Sequence, residues 1–268
     1  MNSSYEQKHP LYAASFTKRR KAMDLYEGGE RIEGNRAYLT RHTYESDKQY
    51  DIRASRATYR NFAAPIVDVF ASFINEGRPE RILPDALRPI EADADRYGMT
   101  ADAFFADVTR LAAAGGARFV IVDMEQKKGE TVAEDRASGR RLVPYFTSIS
   151  PDDVWDWGMD AKGLAWAVVH SEEMEHPAAF AAPLRYETLT VWTRDSWTRY
   201  RRPMKDKENT EYAIAEDGER KHGLGAVPLV PFLFEPTSPM TGLPATDDVL
   251  SLILRIYRRD SELDKMLF

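Results

Sequence analysis

The densest run of groups able to bind a metal or move protons is His170-Ser-Glu-Glu-Met-Glu-His176, two imidazoles enclosing Glu172, Glu173 and Glu175. Imidazole nitrogens and carboxylate oxygens ligate divalent ions, so a metal-dependent hydrolase or nuclease is one chemistry such a cluster would support. Its spacing matches no motif with a known mechanism, and a solvated charged loop accounts for the same residues. A second acidic set, Asp152, Asp153, Asp156 and Asp160, suits general acid–base work if burial raises one carboxyl above the others. Asp152 and Asp153 follow Ser150-Pro151, where a short helical turn would favour anions, and capping is the simpler role. Two basic runs, Lys18-Arg19-Arg20-Lys21 and Arg199-Tyr200-Arg201-Arg202, carry charge suited to phosphate, the second with an aromatic ring interleaved as in single-strand binders. The wet face or edge of a strand would carry the same charges. No glycine-rich phosphate loop, nucleophile elbow or zinc-protease histidine pair occurs. The residues therefore offer no catalytic constellation, and neither a cofactor nor a metal is expected.

Composition narrows the classes further. None of the 268 residues is cysteine, which excludes disulfides, zinc fingers and thiol nucleophiles. The chain carries 37 basic and 43 acidic side chains, a net −6. A protein that grips a nucleic-acid backbone normally has a basic excess, because its affinity comes from neutralising phosphates. A hydrophobic content of 43%, with 11% aromatic residues, is ample for a packed core. Nowhere do eighteen apolar residues run together, so no membrane span is expected. The segment MNSSYEQKHPLYAASFTKRRK lacks the apolar stretch of a secretory signal.

Periodicity then supplies the elements. Residues 1–30 are polar and read as a mobile segment ending at Glu27-Gly28-Gly29-Glu30. From Ser46 to Asn75 the residues Tyr50, Arg53, Ala57, Phe62, Ile66, Val69, Phe70 and Phe73 recur at helical steps, and Pro65 should kink or split the helix. A second helix runs from Thr100 to Ala114, with Ala103, Phe104, Val108 and Leu111 as its stripe and Gly115-Gly116 as its stop. Strands follow at 118–123 and 142–148, separated by a charged excursion expected in solvent. Val154–Trp157, a turn over 158–163, and strands at 164–170, 184–193, 197–202 and 212–215 continue an antiparallel meander. A strand ends near Phe234, and the loop EPTSPMTGLPA leads into the last helix. The five tryptophans, Trp155, Trp157, Trp166, Trp192 and Trp197, fall in or beside these strands and read as core.

That last helix opens at Thr246 as N-cap, with Asp247 and Asp248 in its first turn, and reaches Phe268 without a glycine or proline stop. At 1.5 Å per residue it would extend roughly 34 Å and is expected to project from the body. Val249, Leu250, Ile253, Ile256, Tyr257, Leu263 and Leu267 form its apolar side; Arg255, Arg258, Arg259, Asp260 and Glu262 lie elsewhere on it. These readings give an α+β fold: N-terminal helices, a mostly antiparallel β meander, and a long amphipathic C-terminal helix. The expected domains are the mobile segment 1–30, an α+β domain over 31–245, and the helix 246–268.

Six stretches in order, Tyr38-Leu39, YDIRASRATYRNFAAPIVDVF, RFVIVD, RRLVPYFTSISPDDVWDW, GLGAVPLVPF and TDDVLSLILRIYRRDSELDKML, together resemble the portal proteins of tailed bacteriophages. The group is the siphophage-type one long classed as a phage domain of unknown function, and the likeness runs from about residue 30 onward. It implies a structural, non-enzymatic subunit of a ring, typically dodecameric, at one capsid vertex. Such a ring conducts double-stranded DNA during packaging and ejection, and docks the terminase packaging motor, head–tail connectors and capsid proteins. It implies location in the virion, and in the host cytoplasm during assembly. Residues 31–245 would be the wing and the last helix the start of the stem. Arg255, Arg258, Arg259, Asp260 and Glu262 would then lie near subunit contacts or the channel. Family members are longer, continuing through clip, second stem helix, channel loop and crown, so this stretch alone is expected to be mostly monomeric or to associate weakly. A metal-dependent hydrolase using His170 and His176, or a head–tail adaptor, are the alternatives.

Overall fold

Side-chain caps and glycine stops divide the amino-terminal part of the chain into helices. The computed structural model describes residues 4–77, 79–124, 134, 143–206 and 211–267. Helix α1 spans Pro10–Glu27 and opens on a proline, whose missing amide costs nothing in a first turn. It ends at Gly28, which adopts φ +66°. Helix α2 (Asp47–Arg56) starts on a reciprocal capping box in which Ser46 and Gln49 each satisfy the other's amide. Helix α3 (Ala63–Ile74) starts where the Asn61 carboxamide accepts the Ala64 amide at 2.9 Å. The expected split of the 46–75 helix thus occurs, but at residues 57–62. Pro65 sits harmlessly in the first turn of α3, where its amide needs no partner. Helix α4 is a single turn, Pro89–Ala92, and α5 spans Ala101–Gly115. Gly116, at φ +85°, stops α5, and a methyl group there would strike the backbone of Gly242.

Strands then take over. β1 (Ala117–Asp123) pairs antiparallel with β2 (Tyr145–Ile149), matching Phe119 to Ile149 and Asp123 to Tyr145. Leu142 and most of the charged excursion lie outside the described residues. The meander is a five-stranded sheet in chain order: β3 (Val154–Asp160), β4 (Gly163–Glu175), β5 (Leu184–Thr193), β6 (Ser196–Pro203) and β7 (Ala213–Lys221). Three of these strands run longer than the sequence suggests, β7 reaching Lys221 where a stop at Ala215 is expected. The turn between β3 and β4 tightens onto Gly163 at φ +100°, so Gly158 to Asp160 stay in β3. The glutamate-rich stretch to Glu175 is strand rather than loop, held by pairing of Glu172 with Glu187 and Glu175 with Leu184. β8 (Leu229–Leu233) joins β1, and residues read as a loop form the hairpin β9 (Glu235–Ser238) and β10 (Thr241–Leu243). The final helix, α6, spans Leu250–Leu267. The chain is therefore α+β: N-terminal helices, an antiparallel meander and a C-terminal helix. Among the described residues no helix is long and apolar enough to cross a membrane.

The expected division into 1–30, 31–245 and 246–268 is replaced by two compact units, each assembled from three separate segments. One, the sheet unit, comprises Met1–Ala14, Leu83–Thr100 and Phe119–Pro231. The other, the helical unit, comprises Ser15–Ile82, Ala101–Arg118 and Phe232–Phe268. Residues 1–30 are not the mobile segment expected, since Ala22 and Leu25 of α1 are fully buried in the helical core. That core gathers Ala22, Leu25, Ile32, Leu39, Ala57, Tyr59, Ala63, Leu250, Ile253, Leu254 and Tyr257. In the sheet unit, the stretch before α1 is laid down as well. Tyr5 packs on the rings of Tyr200 and Tyr212, and the His9 amide donates to the Trp155 carbonyl at 2.9 Å.

Candidate functional site

The five residues assigned by sequence to contacts or a channel all lie on α6, and α6 does not project as expected. Leu250, Ile253, Leu254 and Tyr257 turn the first part of its apolar stripe into the helical unit's own core, while Leu263 is 53% exposed. The Tyr257 hydroxyl donates to the Ile32 carbonyl at 3.2 Å, and its ring meets Tyr59 edge-on. Burial pushes the Tyr59 phenol up to about 12, and that hydroxyl donates to the Leu25 carbonyl at 2.8 Å. The expected N-cap is also corrected. Thr246 is buried with no capping bond, Asp247–Val249 form a 3-10 turn, and Asp247 pairs with Lys18 at 2.6 Å.

Three of the five polar residues face inward to the same unit. Arg258 Nε donates to the Tyr38 carbonyl at 2.8 Å, Asp260 lies 3.6 Å from Arg60, and Glu262 lies 3.2 Å from His42. Arg255 and Arg259 remain exposed. Beneath them sits a buried ion pair that sequence reading missed, taking Arg53 as part of an apolar stripe. Arg53 donates twice to Glu45, at 2.9 and 2.8 Å, with each side chain only 1% exposed. Its remaining donors reach the Thr40 carbonyl at 2.9 Å and Ser261 Oγ at 3.2 Å, so the guanidinium ties α2 to α6.

The histidine cluster is not gathered into one site. His170 and His176 are six residues apart along extended chain, about 20 Å at strand rise, too far to share an ion. His170 lies between carboxylates, 3.2 Å from Glu187 and 3.5 Å from Asp153, with its ring stacked on Trp155. His176 is exposed beyond the strand. Among the described residues no group of three or more acidic or histidine side chains is placed to hold a metal. The four aspartates also part company. Asp153 faces His170, Asp156 accepts the Trp157 amide, and Asp160 takes both Arg194 nitrogens at 2.8 and 2.6 Å. No helix follows Asp152 and Asp153; the chain turns directly into β3.

Most residues of the basic runs are committed to carboxylates. Arg202 is buried, donating to Glu187 at 2.7 Å and Glu6 at 2.8 Å across the face of Tyr212. Burial first, and Glu187 second, raise the Tyr212 phenol. Arg201 pairs with Glu175 at 2.5 Å and lies on the Tyr186 ring, while Arg199 is 3.5 Å from Glu173. In α1, Lys18 and Arg20 pair with Asp247 and Asp24, and Arg19 is buried against Ser15.

What remains exposed is largely apolar, although Phe70 still meets the Phe234 ring edge-on at 5.5 Å. Helix α3, AAPIVDVFASFI, carries one charge, Asp68, which accepts the Tyr26 hydroxyl at 3.2 Å. Its buried side is small: Ala63, Val67 and Ala71, with Val67 against Ala113 and Ala114. Its large residues point outward. Phe62, Val69, Phe70 and Ile74 are each about half-exposed and Phe73 is 71% exposed. Periodicity finds the helix from Phe62, Ile66, Val69, Phe70 and Phe73 but does not say which of its sides is covered. The available signal was that its apolar residues run all round, and a helix of that kind is covered on both sides. A second apolar feature is the loop Pro177-Ala-Ala-Phe-Ala-Ala-Pro183 between β4 and β5, where Phe180 is fully exposed at φ +66°. No protein-family model matches this sequence, and no curated protein matches it.

Proposed function

We propose that the chain is a structural subunit of a self-associating ring at a tailed-phage capsid vertex, conducting double-stranded DNA and docking the packaging motor and head–tail connectors. The observation that carries this reading is the set of six portal-like stretches in the correct order. It is supported by a chain that runs, as such a wing would, from helices through a meander to an amphipathic helix. The polar clusters agree with a non-catalytic role: His170, Arg53, Arg201, Arg202 and Asp160 are engaged in pairs within the fold. A net charge of −6 suits a conduit, because every neutralised phosphate adds affinity that moving DNA must break. The exposed face of α3 supplies apolar surface of the kind that oligomers bury. The projecting stem that the resemblance implies lends no support, since the first part of α6 packs into its own unit.

Electron microscopy of the concentrated, crosslinked protein tests it. The expected outcome is monomer or weak, concentration-dependent association of this stretch, and annular particles with a central hole from a chain that also carries the clip, second stem helix and crown. No annular particles from that longer chain, or metal-dependent cleavage of DNA abolished by His170→Ala, would overturn it.

A further inference from the structure

We propose that the exposed face of α3 in one copy receives the Phe180 loop of a second copy, forming a head-to-tail contact. The inference rests on the ring reading above and supplies the surfaces for it. Phe62, Val69, Phe70, Phe73 and Ile74 together leave roughly 500 Å² of apolar surface in water, taking somewhat under 200 Å² per large side chain. A stable interface buries about 800 Å² on each partner, roughly two-thirds of it apolar at the core. The α3 face is therefore the size of one interface core.

The loop has the form of its counterpart. Proline closes each end of 177–183, the Ala181 amide donates to the Ala178 carbonyl at 3.2 Å, and alanines flank Phe180 on both sides. The phenylalanine is thus a single knob on a stiffened tip, held in a left-handed conformation that side chains rarely adopt. A rigid aromatic anchor of this kind loses little freedom on docking. Charge is compatible as well. The loop contains no ionisable residue, and the one charge on α3, Asp68, is already hydrogen-bonded to Tyr26. Closing the two surfaces leaves no unpaired charge in the contact. Knob and face are different residues, so each copy donates one and accepts one, and the contact repeats into a ring or a filament.

Phe73→Glu and Phe180→Glu, both at exposed positions, test this by light scattering across a concentration series, with circular dichroism confirming the fold. Each single variant is expected to weaken self-association at least tenfold. An equimolar mixture of the two should form dimers and nothing larger, because the Phe73→Glu chain keeps its knob and the Phe180→Glu chain keeps its face. Loss of association with Phe73→Glu alone, and no rescue on mixing, would replace the proposal with a symmetric α3–α3 contact. Wild-type-like rings from both variants would overturn the proposal and leave the ring reading standing. A wild-type protein that stays monomeric at every concentration would also overturn the proposal, whereas the ring reading falls only if the longer chain forms no rings.

Discussion

Glu45 and Arg53 face each other with almost no water, and their value to the fold depends on both being present. Removing one partner strands the other charge in the interior, whereas removing both leaves only a packing change. Glu45→Ala or Arg53→Ala is expected to lower the unfolding free energy by about 3–5 kcal/mol in urea titrations. The paired replacement Glu45→Leu with Arg53→Met should recover most of that loss. Asp160 is the opposite case, an exposed carboxylate held by a fork of hydrogen bonds. Arg194, and then the Lys162 amide, lower its pKa to about 2. The folded value lies below the unfolded one, so the stabilisation is present above the ordinary carboxylate range and disappears as pH falls through about 2. Arg194→Gln should move the Asp160 titration back up toward the ordinary range in a carboxylate NMR experiment. Neither pair was legible in the sequence. Glu45 and Arg53 are eight positions apart, across a helix cap, and Asp160 meets Arg194 only because β4 and β5 bring two hairpin turns together.

At the scale of elements, the sequence revealed helices and strands better than it revealed their faces. Tyr257 shows why α6 was expected to stand free. Its stripe is interrupted by arginines, and its partners come from α1 and the loop around Ile32 and Leu39, more than 200 residues earlier in the chain. Tyr257→Ala is expected to cost about 3–5 kcal/mol, the range for deleting a buried aromatic ring, measured by chemical denaturation. A projecting helix would lose almost nothing. The misreading of α1 has a related cause. Lys18 to Lys21 break its apolar pattern, and the buried contacts are made by Ala22, Leu25 and the stem of Arg19. In α3 the period was right but did not mark the buried side, which is the small one: Val67 packs with Ala113 and Ala114. The hairpin β9–β10 was hidden by its prolines and glycine, which signal a loop and here shape a short pair with a bulge.

At the scale of the whole molecule, the α+β class follows from the switch between helical and alternating periods near Gly116, and that switch is plain in the sequence. The two-unit organisation is legible only in part: Ile82 lies in a connector punctuated by Pro79, Pro84 and Pro89, but nothing in local composition marks Thr100 or Pro231 as places where the chain passes from one unit to the other. This interleaving has a consequence for synthesis. The helical unit includes α1 near the start of the chain and α6 at its end. On a ribosome working at about 5–20 residues per second, the early part of this core, from Leu25 to Ala63, would wait roughly 10–40 s for the helix that completes it. The nascent chain would spend that interval without Ile253, Leu254 and Tyr257 against those residues, a natural target for a holding chaperone.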